Sequence, residues 1–393
     1  MTSSDSSKLI FHVTQEQRQA LLSPDPAQFR KAFDSILQNV RDTFNNEGVV
    51  LIRGLFDEDL LDLMCKEGEA IVDAVKFGNT FTSLQFGPIF SFPGTCNNEK
   101  LSGEAFREAA LASSIPAFVA RVLLRLDDEE EGSISHEGST LRLLKDAFMA
   151  KGKEQNYCGW HVDDAGFWPT DAQSEGINAW IALDDMESRF GGGLAVSPKS
   201  HHAEWRHEAY KAIGSTKIFP PEGVQLGDEK FREVYGKTCS MNILDPQLNQ
   251  KIESTKEVFD YKRGDCLFCT RWLFHRSVAI NEEGLEHIAK LGSEKGDYAF
   301  KRYTIRYELG SAKALRGLSM EACNLLYPEA TAGKSLDAIC EAKGPFYPKC
   351  WPRSPDLKAL EAEIQSLVKN DLPKAEIKRS EMIAKIKDSY SAN

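Results

Sequence analysis

From residue 141 to residue 307 the chain is a succession of short apolar runs separated by turn-forming residues. Candidate strands lie near 141–150, 157–163, 177–183, 193–196, 257–260, 266–270, 273–280 and 301–309. Runs this short, bounded by Gly, Pro, Asn and Asp, fit strands better than helices. Their number and the turns between them predict an antiparallel sandwich or barrel. Two excursions interrupt the pattern: 203–255, which opens with a helix-like segment at 204–213, and the polar stretch 282–299. Long excursions from a compact barrel are often where substrate specificity sits.

The flanks read differently. Residues 1 to about 45 predict a mobile tail followed by helices, with Ala32, Phe33, Ile36, Leu37 and Val40 at helical spacing. The β-branched run Val49-Val50-Leu51-Ile52, bounded by Gly48 and Gly54, predicts a strand, and Asp57 is a good N-cap for the helix after it. Residues 77–115 lack a period and suit a loop or lid, with Phe81, Phe86, Phe90 and Phe92 as packing or pocket residues. A helix over 117–126 leads into the acidic run Asp127 to Glu131, expected to be a solvated loop. Beyond Gly310, helix signals mix with Pro and Cys, then two charged amphipathic segments follow at 355–369 and 373–389. Those segments are expected to pack on the barrel or to form a homodimer surface. With no internal repeat, the expectation is one domain over 1–393: a helical and lid region to 140, a β core over 141–310 and a C-terminal helical extension.

Composition excludes several classes. The net charge of −11 argues against a nucleic-acid partner and against adsorption to an anionic membrane. No apolar stretch approaches a membrane span, and the polar N-terminus carries no signal-peptide core, so a cytoplasmic protein is expected. Nine scattered cysteines read as reduced thiols. Cys266 and Cys269 form a Cys-x-x-Cys, but on a strand these positions face opposite sides and cannot share a metal.

Chemistry concentrates at Trp160-His161-Val162-Asp163-Asp164. On a strand, His161 and Asp163 point to one face, so imidazole and carboxylate can converge. A second histidine would complete a facial triad of the kind that binds Fe(II) and leaves positions open. His275, on an apolar strand, is the candidate. His12, His136, His202, His207 and His287 lie in polar or helical surroundings and read as surface or packing residues.

Further runs accompany the pair: Trp180-Ile181-Ala182-Leu183-Asp184-Asp185, Gly192-Gly193-Leu194-Ala195-Val196-Ser197-Pro198-Lys199-Ser200-His201, Gly264-Asp265-Cys266-Leu267-Phe268, and His275-Arg276-Ser277 with Asn281. In this order the sequence resembles the phytanoyl-CoA dioxygenase-like branch of the Fe(II)/2-oxoglutarate-dependent oxygenases, over roughly 45–310 without the excursions. The resemblance implies an α+β protein built on a double-stranded β-helix, a jelly-roll or cupin-like barrel flanked by N- and C-terminal helices. It places His161, Asp163 and His275 on Fe(II). It also implies 2-oxoglutarate as cosubstrate and O2 as oxidant, with decarboxylation to succinate and CO2 coupled to hydroxylation, desaturation or ring closure. Because Asp163 is present, oxygen chemistry is favoured over the halogenation that relatives lacking the carboxylate perform.

The cosubstrate needs a cation for its distal carboxylate. Arg302 with Thr304 on the last barrel strand matches the family's pattern of an arginine followed by a hydroxyl, and guanidinium pairs carboxylate bidentately. Arg302 lies farther from His275 than the family's arginine does from its histidine, an excess that the 282–299 excursion accounts for. Arg306 shares its strand parity and remains a rival. Lys151 matches a lysine that often precedes the metal motif in the family; it reads either as a cosubstrate contact or as an exposed loop lysine. Trp180, Phe167 and Trp168 are candidate pocket walls. The acidic and aromatic residues after the motif suit a small neutral or cationic metabolite better than an acyl-CoA. Rival readings are a non-catalytic barrel that binds a ligand or partner, a cupin-like isomerase on another metal, and a protein hydroxylase.

Overall fold

A computed structural model describes residues 6–74, 83–84, 103–128, 140–152, 159–163, 168–171, 174–209, 241, 245–290, 298–314, 322–371 and parts of 373–385. Phe81, Phe86, Phe90, Phe92, His136, Asp164, Phe167 and the stretch 210–240 fall outside them. The described strands are β1 (Ile10–His12), β2 (Val49–Arg53), β3 (Ser83–Leu84), β4 (Leu141–Gly152), β5 (Ile177–Ala182), β6 (Leu194–Val196), β7 (Glu257–Val258), β8 (Cys266–Thr270), β9 (His275–Ser277), β10 (Tyr298–Leu309) and β11 (Lys349–Trp351). One large sheet runs β1-β2-β8-β5-β10-β4-β11, with β3 also on β4; a small sheet runs β7-β6-β9. Apart from the parallel β1–β2 pair, neighbours are antiparallel. Two facing sheets with helices on both flanks make the jelly-roll, cupin-like architecture expected from the sequence.

Three cores follow from which face each side chain takes. On β8, Cys266 and Phe268 point into a core with the N-terminal helices, while Leu267 and Cys269 point between the sheets. Burial on both faces is why β8 reads as an unbroken apolar run. It also separates the two thiols, as strand parity requires. The helix-side core takes Phe29, Phe33, Val40, Phe44 and Phe118, the last stacked on Phe268 at 5.0 Å. Between the sheets, Val49, Leu51, Trp180 and Leu267 meet Leu194, Val196, Phe259 and Tyr261. A third core covers the back of the small sheet, where Trp160, Val162, Ala195 and Phe274 pack on Leu248 and Ile252.

Several elements differ from the sequence reading. β1 and β11 extend the large sheet from the supposed N-terminal tail and the C-terminal extension; three residues are too few to show a period. A helix Glu104–Leu111 lies within the supposed lid region, and a helix Glu282–Lys290, buried through Ile288, occupies much of the polar stretch. The expected strand at 157–163 reduces, among its described residues, to a single bridge from His161 to His275. Asp127 and Asp128 are not solvated: they pair with the buried Arg121 at 2.7 Å and Arg41 at 3.0 Å. Charge patterning could not show this: Arg41 arrives from a distant helix, and a charge run looks the same whether solvated or paired. The helix Leu357–Asn370 does pack on the body through Ile364. No described helix is long and apolar enough to cross a membrane.

The turn into β6 depends on Gly191, at φ +79, where an added Cβ would lie 1.8 Å from the Ala279 carbonyl oxygen. That oxygen is backbone at the exit of β9 and cannot rotate away. Gly191→Ala is expected to destabilise the fold by about 1–3 kcal/mol through strain alone, read as a lower midpoint in urea unfolding.

Candidate metal centre

The small sheet brings the two histidines together. His161 and His275 exchange backbone hydrogen bonds, N–H to C=O both ways, at 3.0 Å. Directly opposed residues on antiparallel segments put their side chains on one face, and the ring centroids sit 4.4 Å apart. Asp163, two residues after His161, completes the cluster. Its Oδ1 lies 3.9 Å from His161 Nε2 and 3.7 Å from His275 Nε2. One ligand atom from each of the three falls within 4.8 Å of the others.

Second contacts orient all three. His161 Nδ1 is 2.7 Å from the Gly159 carbonyl oxygen and His275 Nδ1 is 3.0 Å from that of Leu273. A carbonyl accepts only, so each Nδ1 donates to it, which turns each Nε2 toward the cluster. Asp163 Oδ2 accepts from Arg306 Nε at 3.1 Å and Nη2 at 3.0 Å, and from Asn178 Nδ2 at 3.2 Å. Oδ1 is thereby the oxygen turned to the imidazoles. Burial pushes the Asp163 carboxyl up, but the Arg306 guanidinium and the two imidazoles outweigh it and hold it well below the usual carboxylate range. Two imidazole nitrogens and one carboxylate are a donor set that fits Fe(II).

The phytanoyl-CoA dioxygenase (PhyH) family model matches residues 44–283, more than half of the chain. The chain belongs to that family. Solved structures are similar to it at low identity. SnoK, a non-heme α-ketoglutarate-dependent carbocyclase from nogalamycin biosynthesis, has a TM-score of 0.45 and 15% identity, over 78% of this chain and 94% of its own. The epimerase SnoN, in complex with Fe3+, α-ketoglutarate and nogalamycin RO, has a TM-score of 0.42 and 17% identity, over 72% and 86%. EctD from S. alaskensis with bound Fe has a TM-score of 0.41 and 14% identity, over 70% and 77%. No curated protein sequence matches the chain. As a PhyH-family member the protein is an oxidoreductase of the iron- and 2-oxoglutarate-dependent class.

The family match ends before β10, where the candidate arginines lie. On β10, Arg302, Thr304, Arg306 and Glu308 alternate with Tyr303, Ile305, Tyr307 and Leu309, and all eight are buried. The aromatic and aliphatic set faces the helix-side core, so the polar set lies on the opposite face of the sheet, the barrel side. Register places Arg306 opposite Asn178, Thr304 opposite Trp180 and Arg302 opposite Ala182. Arg302 is thus four residue pairs along the ladder from the arginine on Asp163. Its guanidinium sits 5.7 Å from the Trp180 ring centroid, and its Nη2 donates to Met149 Sδ. The buried Trp180 Nε1 has no hydrogen-bond partner among the described residues. Thr304 Oγ1 donates to the Ala147 carbonyl at 3.2 Å. Lys151 lies near the end of β4 with its backbone opposite Ala299, and its side chain is outside the described part.

Other candidates lie elsewhere. Trp168 packs against Gly176 and lies near Arg271, whose guanidinium meets Glu308 of the barrel-side row. His201 packs against Gly48 and hydrogen-bonds the Asn45 carbonyl; His287 stacks on Phe190. Asn178 was not anticipated; an isolated amide in an otherwise apolar strand was its only signal. A cavity of about 530 Å³ lies between Phe44, Leu124, Ile177, His201 and Arg271, but no triad residue lines it.

Replacing Arg306 with Met should leave burial opposed only by the imidazoles. The Asp163 pKa in metal-free protein is then expected to rise, followed by carboxyl carbon shifts in an NMR titration. The wild-type carboxylate contributes stability that is present above the unfolded value near pH 4. It is lost as pH falls through the depressed native pKa, and that contribution should shrink in the variant.

Proposed function

We propose that the protein is a dioxygenase that hydroxylates an unactivated C–H bond of a small-molecule metabolite. Substrate C–H, O2 and 2-oxoglutarate give the alcohol, succinate and CO2, with one oxygen atom of O2 in each of the first two products. The observation that carries this reading is the His161–Asp163–His275 cluster, with Nε2, Oδ1 and Nε2 turned to one point. These three residues would hold the iron. When bound, Fe(II) would supply, with 2-oxoglutarate and O2, the oxidising power.

The chain's own task is to orient and to exclude. Arg302 is the residue for the distal carboxylate of the cosubstrate. What supports it over Arg306 is that Arg306 is engaged on Asp163, whereas Arg302 lies deeper on the same barrel-side row. The Trp180 indole N–H, buried and unmatched, supplies a donor beside it; leaving it unmatched costs about 1–3 kcal/mol, which an anionic acceptor would recover. Thr304, its own proton given to Ala147, spaces the two arginines. The aromatic and aliphatic lining between the sheets keeps water from the carboxylate pairing.

Alanine at His161, Asp163 or His275 should abolish Fe(II)-dependent succinate formation while circular dichroism stays native. An active Asp163→Ala enzyme would remove the assignment. Arg302→Ala should raise the KM for 2-oxoglutarate by roughly 10- to 100-fold, the worth of a charge-assisted pair at about 1.5–3 kcal/mol. Its binding of Mn(II) should be unchanged. A larger KM effect for Arg306→Ala, with Mn(II) binding intact, would transfer the role to Arg306.

A further inference from the structure

The helix Pro246–Glu253 lies in the first excursion from the barrel. It starts on a proline, with Asp245 as N-cap accepting from the Leu248 backbone N–H, and buries Leu248 and Ile252 behind the small sheet. Its last residue is an acid. A carboxylate at a helix C-terminus faces the negative end of the helix dipole and is disfavoured there, so partners elsewhere must hold it. Glu253 Oε2 accepts from the Trp160 indole N–H at 2.7 Å and from Arg276 Nε at 3.1 Å; Oε1 accepts from Arg276 Nη2 at 3.0 Å. Lys256 also pairs with Oε1.

Trp160 precedes His161, and Arg276 follows His275. Since His161 and His275 are directly opposed, Trp160 and Arg276 are cross-strand neighbours one step along, on the reverse face. The Arg276 guanidinium carbon lies 5.2 Å from the Trp160 ring centroid. One carboxylate therefore grips both histidine-bearing segments from behind. Among the described residues a single backbone-paired residue pair joins those segments.

We infer that Glu253 is a positioning residue for the metal centre, setting the spacing of His161 and His275 by clamping Trp160 and Arg276. The inference rests on reading those histidines as metal ligands. It gives the excursion a task in the chemistry without any contact to the ligands themselves.

The test measures Mn(II) dissociation constants and Co(II) absorption bands of the full-length protein, beside thermal unfolding of the metal-free form. Partners that orient metal ligands are worth about 10- to 100-fold in affinity when removed. Glu253→Ala is expected to weaken Mn(II) binding by about 10-fold, the low end of that range, and to shift the Co(II) bands. Trp160→Phe, which keeps the ring and removes only the N–H, should act in the same direction and serves if Glu253→Ala does not fold. Lys256→Ala, which spares the clamp, should bind as wild type does. Unchanged Mn(II) affinity and Co(II) bands in Glu253→Ala and Trp160→Phe, whatever their melting temperatures, would overturn the inference, provided His161→Ala and His275→Ala lose the metal. If those histidine variants keep it, the metal-ligand reading itself is overturned.

Discussion

The centre of this protein hangs on two backbone hydrogen bonds exchanged between His161 and His275. They are the only regular pairing that the Trp-His-Val-Asp segment makes with a sheet among the described residues. Opposed pairing does what sequence distance cannot: it puts two imidazoles on one face at contact distance, and carries Asp163 in beside them. Each ring is then turned by a carbonyl two residues before it. The chain's own hydrogen bonds orient these three side chains.

The electrostatics run against ordinary folding economy. Burying Asp163 and Arg306 together gains little net stability, since both charges lose water. The strand that carries Arg306 turns its charged face toward the barrel side and its aromatic face toward the helices, so the barrel holds a polar row where a core would hold leucines. Such a row is explained by what it orients. Arg306 and Asn178 spend one oxygen of Asp163 and leave the other for the histidines. Arg302 and Trp180 form a second polar point deeper along the same row. Behind the small sheet, Glu253 ties the histidine segments to an excursion helix, so second contacts meet the centre from both sides.

Much of this was legible in the chain. The short apolar runs of β5 and β8 marked strands, and strand parity separated Cys266 from Cys269. The His-x-Asp spacing announced a convergent pair because a strand repeats every two residues. The parity of Arg302, Thr304 and Arg306 placed them on one face. Other features left no trace. β1 and β11 are too short to show a period. The pairing of Asp127 and Asp128 with Arg121 and Arg41 joins side chains from different elements, and a charge run looks the same whether solvated or paired.

The sequence by itself determined the local alternation, the family-like order of motifs and the identity of the three donor residues, because these depend on neighbours along the chain. Tertiary structure alone decided which arginine meets Asp163, which tryptophan stands beside Arg302 and which helix stands behind the histidines. Those outcomes depend on sheet register and on the packing of distant segments. Arg302 and Arg306 have the same side chain and the same strand parity, and only the placement of Asp163 beside the β10–β5 pair distinguishes them.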